Sequence, residues 1–343
     1  MHIKIKKSIK TLKYIRIIAI LSCILYFVLP FAYGHAIDFF NNNNVFAKPN
    51  KKSSKELQQA KPISFLLLGV DQGIEGRHDQ GNSDTIILAT VNPKQKKTTL
   101  LSIPRDSLTR IQSSKVNPNY KYFKINSAYE VGGVNCSQKT VAKMLNIPIN
   151  YYALVNMKSL KEIVNAIGGV DVKVPFSFKY DWCDFHKGYQ HLNGRHAVSY
   201  VRMRHQDPRG DYGRQTRQRQ VIEAVIHQAL KNGSIAKYRK LVSIFNKYAK
   251  TNLSFSDMLE LVNQYQPALK QIQSVHLQGH DATINSSDIQ VISTKELQNK
   301  SNLLRKTLNL RKETLNNEET RLNRLNHVNW KNPNKFDNYS VKQ

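Results

Sequence analysis

Three features of this 343-residue sequence predict an α/β domain. A short apolar run, ISFLLLGVD (63–71), has the length and composition of a buried central strand. TIILATV and TTLLSI, separated by NPKQKK, read as a β-hairpin. A strand at 151–155, an amphipathic helix at 157–167 and a strand at 170–174 follow in the order of a right-handed crossover within one sheet. With 40% apolar residues the chain can bury a full core, and one domain of about 250 residues is ordinary.

Upstream of the domain, residues 1–16 carry Lys4, Lys6, Lys7, Lys10, Lys13 and Arg16 with no acid, and residues 17–33 hold no charge. A basic tail before an apolar run is the pattern of an export segment whose N-terminus stays in the cytoplasm. The expectation is a basic cytoplasmic tail at 1–16 and one transmembrane signal-anchor helix at 17–36. Pro30 with the small residues Ala32, Gly34 and Ala36 leaves a cleavable signal as the alternative. Either outcome puts the rest of the chain outside the cytoplasmic membrane. The Asn- and Lys-rich stretch 37–61 lacks periodicity and reads as a linker. The domain then occupies 62–310.

Inside the domain, a glycine-containing loop, QGIEGRHDQGNSD, follows the first strand. Pro104 ends the second hairpin strand, having no N–H for the ladder, and leaves Arg105 and Asp106 just beyond it. Asp71 follows one strand, Asp84 precedes another and Arg105 follows a third. If those strands are neighbours, all three meet at one sheet edge. Two carboxylates beside arginines suit Mg²⁺, which takes one or two carboxylates plus phosphate oxygens. The alternative is that Asp71 caps a turn and Asp84 orients its loop.

KINSAYEVGG (124–133) reads as a short helix closed by Gly132 and Gly133, with Lys124 just before it; residues 136–145 read as another. Gly168 and Gly169 stop the amphipathic helix. Trp182, Cys183, His186 and His191 are spaced irregularly, which favours turn and packing roles over a metal site. LNGRHAVSYV is a helix. Helices at 235–250 and 255–267, a strand at 273–277 and a closing helix at 293–310 complete the domain. Residues 311–343 are polar; Leu315, Leu322 and Leu325 permit an amphipathic helix with no evident partner, so the segment reads as a tail.

The densest chemistry lies in YVRMRHQDPRGDYGRQTRQRQ (200–220), with six arginines against two acids. Arg202 and Arg204 are two apart and point the same way if the backbone is extended. DPRGD is turn chemistry. From Asp211 the period changes: Asp211, Arg214 and Gln218 share one helix face. The same stripe continues as Val221, Ile222, Val225 and Ile226. A helix N-terminus attracts anions, and arginine forks fit phosphate oxygens. A phosphate head with an apolar tail along one stripe is what a phospholipid-like ligand needs; a solvated basic face is the plainer alternative.

A formal charge of +28 predicts a polyanionic partner: nucleic acid, an anionic membrane or an anionic wall polymer. Export argues against nucleic acid. Three cysteines exclude a cysteine-based zinc module and a dense disulfide scaffold. Cys136 and Cys183, both in the exported part, are a candidate disulfide.

Taken together, FLLLGVD, SDTIILATVNPKQKKTTLLSIPRD, KINSAY, VNMKSLKEIVNAIGGVDV, LNGRHAVSYVRMRHQD and DYGRQTRQRQVI resemble the LytR-CpsA-Psr family across roughly residues 62–310. The resemblance implies an α-β-α sandwich around a mixed central sheet. It implies transfer of an anionic glycopolymer (wall teichoic acid, capsular or secondary wall polysaccharide) from polyprenyl pyrophosphate to a peptidoglycan sugar hydroxyl. The partners it implies are that lipid-linked donor, the peptidoglycan acceptor and membrane lipid. Asp71 and Asp84 match its acidic metal positions, for Mg²⁺ or Mn²⁺, and Arg105 the arginine of its PRD motif. Lys124, Arg202, Arg204, Arg214 and Gln218 match positions that grip pyrophosphate, and Asp211 an acidic position beside them. Both Asp211 and Asp71 stand as general-base candidates. One departure is Asn82, where the family usually has arginine; Arg77 in the preceding loop is the candidate substitute. Two other readings stay open: a non-catalytic binder of wall polymer or polyprenyl phosphate, and a membrane-bound regulator or attenuator of transcription.

Overall fold

Three neighbouring strands, two of them buried along most of their length, build the centre of the protein. The computed structural model describes residues 54–70, 81–114, 121–231, 249–284, 286–327, 330 and 339–341. In chain order the first elements are α1 (Lys55–Gln58), β1 (Ile63–Val70), β2 (Ser83–Asn92), β3 (Lys97–Ser102), β4 (Leu108–Arg110) and β5 (Tyr122–Lys124). Then come α2 (Ser127–Leu145), β6 (Tyr151–Asn156), α3 (Met157–Ala166), β7 (Val170–Val174), β8 (Phe178–Tyr180), β9 (Cys183–Phe185) and β10 (Gly188–Leu192). The arginine-rich region forms α4 (Gly194–Arg202) and α5 (Gly210–Lys231). β11 (Lys250–Thr251), α6 (Phe255–Tyr265), β12 (Gln271–His276), β13 (Gly279–Ile284), β14 (Ser287–Ile292), α7 (Thr294–Thr307) and α8 (Glu318–Leu325) follow.

The central sheet is six-stranded and mixed, in the order β11-β6-β1-β2-β3-β12. β2 and β3 form the expected antiparallel hairpin, while β1 runs parallel to β6 and β3 parallel to β12. Successive side chains of a strand point to opposite faces. Leu66, Leu68, Leu88 and Leu101 therefore pack on one face against Met144 of α2 and Leu297 and Leu304 of α7. Leu67, Ile87 and Leu100 face the other side, against Ile222 of α5. On that side Ile63 and Tyr151 also meet Tyr265 of α6. Helices cover both faces, so the sheet is buried between two layers.

The crossover expectation is corrected. α3 starts at a capping box of Asn156 and Ser159 and ends at Gly168 and Gly169, as its pattern predicts. Yet β7 does not rejoin the central sheet; it pairs antiparallel with β10 in a separate two-stranded sheet. That sheet, the β8–β9 hairpin, α3, α4 and part of α5 surround a second core including Val172, Phe178, Phe185 and Tyr200. The two helices expected within 124–145 are present as the two halves of α2, separated at Gly132 and Gly133, whose backbone is non-helical. Arg202 and Arg204 are not an extended pair: Arg202 ends α4, and Arg204 follows Met203 in the loop.

The segment after residue 310 is not a partnerless tail. Leu315 packs into the main core, and Leu322 packs with Leu108, Tyr122, Ile289 and Tyr339. Glu319 accepts hydrogen bonds from the Thr109 hydroxyl (2.6 Å) and the Arg110 N–H (3.3 Å), which ties α8 to β4. The candidate disulfide is also corrected: Cys136 and Cys183 are free thiols, buried in two different clusters. Among the described residues no helix is long and apolar enough to cross a membrane. The expected anchor at 17–36, Asp71, Arg77 and most of the helix expected at 235–250 lie outside the described residues.

Candidate active site

Four chain segments converge beside one end of the central sheet: the start of β2, the loop after β3, the end of β5 and the first turns of α5. Asn126 clips the first three together. Its N–H donates to the Arg105 carbonyl (3.2 Å), and its carbonyl accepts from the Ser83 N–H (3.4 Å). Asp84, Arg105 and Lys124 are thereby fixed as neighbours although 40 residues of chain separate the first from the last.

Arg105 is the hub. Its Nη1 donates to Asp84 Oδ1 at 2.6 Å, and its Nε lies 3.6 Å from Asp106 Oδ2, beyond hydrogen-bond reach. Lys124 Nζ sits 3.1 Å from Asp106 Oδ1. Burial alone would lower the Arg105 pKa, but the hydrogen bond and charge of Asp84, helped by Asp106 and Asp211, hold it above the ordinary value. In the first turn of α5, Arg214 pairs with Asp211. Burial lowers the Arg214 pKa; Asp211 opposes this, while Arg105 and Arg204 push the same way as burial. Four cationic groups thus crowd three carboxylates.

The crowding leaves hydrogen-bonding groups unused. Arg105 Nε and Arg214 Nε are buried without a hydrogen-bond partner, whereas Asp211 Oδ1 is taken up by its ion pair with Arg214 Nη2. Such orphans are rare in folded proteins, and two buried guanidinium donors on neighbouring arginines fit an anionic ligand.

α5 is held in place by charge buried further in. Arg217 is 0% exposed. It donates to the Tyr200 carbonyl (3.1 Å), to the Met203 carbonyl and to Asp207 Oδ2 (2.5 Å). Arg209 binds the same carboxylate through Nε and its backbone N–H. Gly213 makes room for it, since a Cβ there would stand 1.9 Å from Asp207 Oδ2. Arg219 donates to the Ser102 hydroxyl (2.5 Å) at the end of β3, and burial lowers its pKa to about 10. Tyr212 accepts from the Gly279 N–H (2.9 Å), which joins the start of α5 to β13.

An apolar cleft of about 80 Å³ adjoins the charged cluster. Leu67, Gly69 and Thr85 line it from the sheet, Met157 and Leu160 from α3, and Gln218, Val221 and Ile222 from α5. Gln218 is one turn beyond Arg214 and Thr85 is next to Asp84, so the apolar surface begins where the charges end.

Of the residues singled out in the sequence, Asp84, Arg105, Lys124, Arg204, Asp211 and Arg214 come together. Gln218, Val221 and Ile222 line the cleft; Val225 packs into the second core and Ile226 is half-buried. Arg202 pairs with Asp181 on the β8–β9 turn at 3.7 Å, not with an acid of the cluster. Asn82 is exposed just before β2. Asp106 and the Asp207–Arg217 pair were missed. The PRD triplet contained the first signal; nothing in the run of arginines distinguishes the second.

Carboxylate oxygens are the donors a hard cation such as Mg²⁺ prefers. Among the described residues no group of three or more His, Cys, Asp or Glu side chains could hold a metal ion alone. The Asp84 carboxylate is partly exposed, with one oxygen on Arg105, and Asp71 lies outside the described residues.

Known proteins are similar to this chain in sequence and in fold. The protein named polyisoprenyl-teichoic acid–peptidoglycan teichoic acid transferase TagU from Enterococcus faecalis is 42% identical over 260 residues, 76% of this chain and 84% of its own. Biofilm regulatory protein A of Streptococcus mutans is 40% identical over 76% of this chain and 67% of its own. The solved structure described as TagT bound to LIIa-WTA superposes with a TM-score of 0.62 at 29% identity, covering 76% of this chain and 95% of that one. Residues 34–306 match the model of the LytR_cpsA_psr family, and the chain belongs to that family.

Proposed function

We propose that this protein transfers an anionic glycopolymer, such as wall teichoic acid, from polyprenyl pyrophosphate to a sugar hydroxyl of peptidoglycan. The observation that carries the reading is the pair of unpartnered buried guanidinium donors, Arg105 Nε and Arg214 Nε, beside an apolar cleft. A diphosphate on a prenyl chain presents both halves of the matching ligand. Its oxygens take the free N–H groups of Arg105 and Arg214 and the charges of Lys124 and Arg204. Its prenyl methylenes enter between Val221, Ile222, Leu67 and Leu160, where each buried CH₂ contributes about 0.8 kcal/mol.

In the reaction, the acceptor oxygen bonds to the phosphorus that carries the polymer. The bond from that phosphorus to the bridging oxygen breaks, and polyprenyl phosphate leaves. The arginines hold the phosphate oxygens in fixed positions while negative charge redistributes, which lowers the barrier without reorganisation. The acceptor proton passes to a carboxylate; Asp211, paired with Arg214 in the cluster, and Asp71 are the two candidates for it. Asp84 and Asp71 would hold Mg²⁺ or Mn²⁺, which supplies neutralisation of phosphate charge when bound. The apolar run at 17–33 and the basic residues before it support a single-pass location, N-terminus inside and this domain outside the membrane.

Donor binding tests the site. Arg105→Ala with Arg214→Ala should weaken binding of a polyprenyl pyrophosphate by at least about 100-fold, since hydrogen bonds to charged groups are worth about 1.5–3 kcal/mol each. Binding of the matching polyprenol should change far less. Equal losses for both ligands would sink the assignment.

A further inference from the structure

We propose that Trp182 is a stacking platform for a pyranose ring of a wall saccharide, beside the site assigned above; the proposal rests on the glycopolymer-transfer reading. Trp182 is the second residue of a two-residue turn between β8 and β9, closed by the pair Tyr180 and Cys183. Both turn residues have positive φ, +52° at Asp181 and +61° at Trp182. Such a turn prefers glycine at its second position, and a bulky side chain there is strained. Packing returns nothing for the strain, because Trp182 is 95% exposed. A strained, fully exposed indole is better explained by a ligand than by folding.

The turn is fastened to the arginine loop. The Asp181 carboxylate accepts from the Ser199 hydroxyl (3.3 Å) and lies 3.7 Å from Arg202 Nη1. Gln206 Nε2 donates to the Lys179 carbonyl (2.7 Å). Beneath the turn, Phe178 and Phe185 stack with their centroids 4.6 Å apart. The turn that carries Trp182 therefore keeps a fixed place relative to the loop that carries Arg204 and leads to Arg214.

Local chemistry favours a saccharide over a lipid surface. The electron-rich face of an indole meets the C–H face of a pyranose. The flanking ion pairs, Lys179 with Asp184 (3.2 Å) and Arg202 with Asp181, supply donors and acceptors for hydroxyls. Asp181 and Asp184 on either side of the indole are poorly suited to an anionic bilayer.

The chain has two tryptophans, so Trp330→Phe leaves Trp182 as its own probe. Full-length protein in bilayers of brominated phosphatidylglycerol, and in detergent, would be titrated with two saccharides. One is a peptidoglycan glycan oligomer; the other is a disaccharide on a short prenyl pyrophosphate. Trp182 emission should change saturably with at least one, and the arm that responds says whether acceptor or donor is stacked. Trp182→Ala should raise KM for that saccharide about tenfold with little change in kcat, and Trp182→Phe should recover most of it. Trp182→Gly should raise Tm by relieving the turn, which separates lost binding from lost folding. Emission unmoved by both saccharides, or quenched by the brominated lipid instead, overturns the proposal. Polymer transfer with unchanged Trp182→Ala kinetics sinks the platform alone. A saccharide response in a protein that transfers nothing upholds the platform and sinks the transfer reading.

Discussion

Asp207 holds two guanidinium groups at once, and the loop between α4 and α5 depends on it. Burial pushes its pKa up, but hydrogen bonds from Arg209 and Arg217 outweigh that and hold the carboxyl below its usual range. Stability from such a group is complete above the unfolded pKa of ~3.9 and is lost as pH falls through the depressed folded value. Asp207→Asn should therefore flatten the acid end of the stability–pH profile below about pH 4. At pH 7 it should cost about 3–5 kcal/mol, because Arg217 is left charged and buried. Thermal melts from pH 2 to 7 read both effects, and unchanged melts would show the pair to be dispensable. At this scale the sequence was partly legible. Spacing on one helix face identified Asp211, Arg214 and Gln218 together, because a 3.6-residue period is a local property. It did not divide six arginines into ligand-facing and buried ones, because that depends on where Asp207, Tyr200 and Ser102 lie in space.

Among the elements, strand and helix patterns identified β1, the β2–β3 hairpin, α3, α5 and α7 closely, since each has its own periodicity and end signals. Sheet membership did not follow: the β6–α3–β7 order matches a crossover, yet β7 takes β10 as its partner, a contact set by non-local packing. The C-terminal segment was hidden for a related reason. Its leucines have no local partner, and Leu322 is 1% exposed only because Leu108, Ile289 and Tyr339 surround it. Leu322→Ala should cost about 2–5 kcal/mol, the range for emptying a packed core site. Chemical denaturation checks this; an unchanged midpoint would return the segment to the status of a tail. Since α8 also braces the β4–β5 hairpin that ends at Lys124, weaker donor binding should accompany the lost stability.

Over the whole molecule, a net charge of +28 suits work on anionic polymers. The charge that matters for chemistry is the small cluster where Arg105, Lys124, Arg204 and Arg214 meet Asp84, Asp106 and Asp211. It stands at the mouth of an apolar cleft, between two sheet-based cores, and both features need the complete fold. The central claim is catalytic transfer, and one reconstitution tests it. Purified full-length protein would be given a polyprenyl-pyrophosphate-linked teichoic acid donor and peptidoglycan, with polymer attachment and polyprenyl phosphate release measured together. The account predicts Mg²⁺-stimulated attachment, one polyprenyl phosphate released per polymer joined, and loss of both products in Arg214→Ala. Donor that binds but yields neither product under these conditions would contradict it.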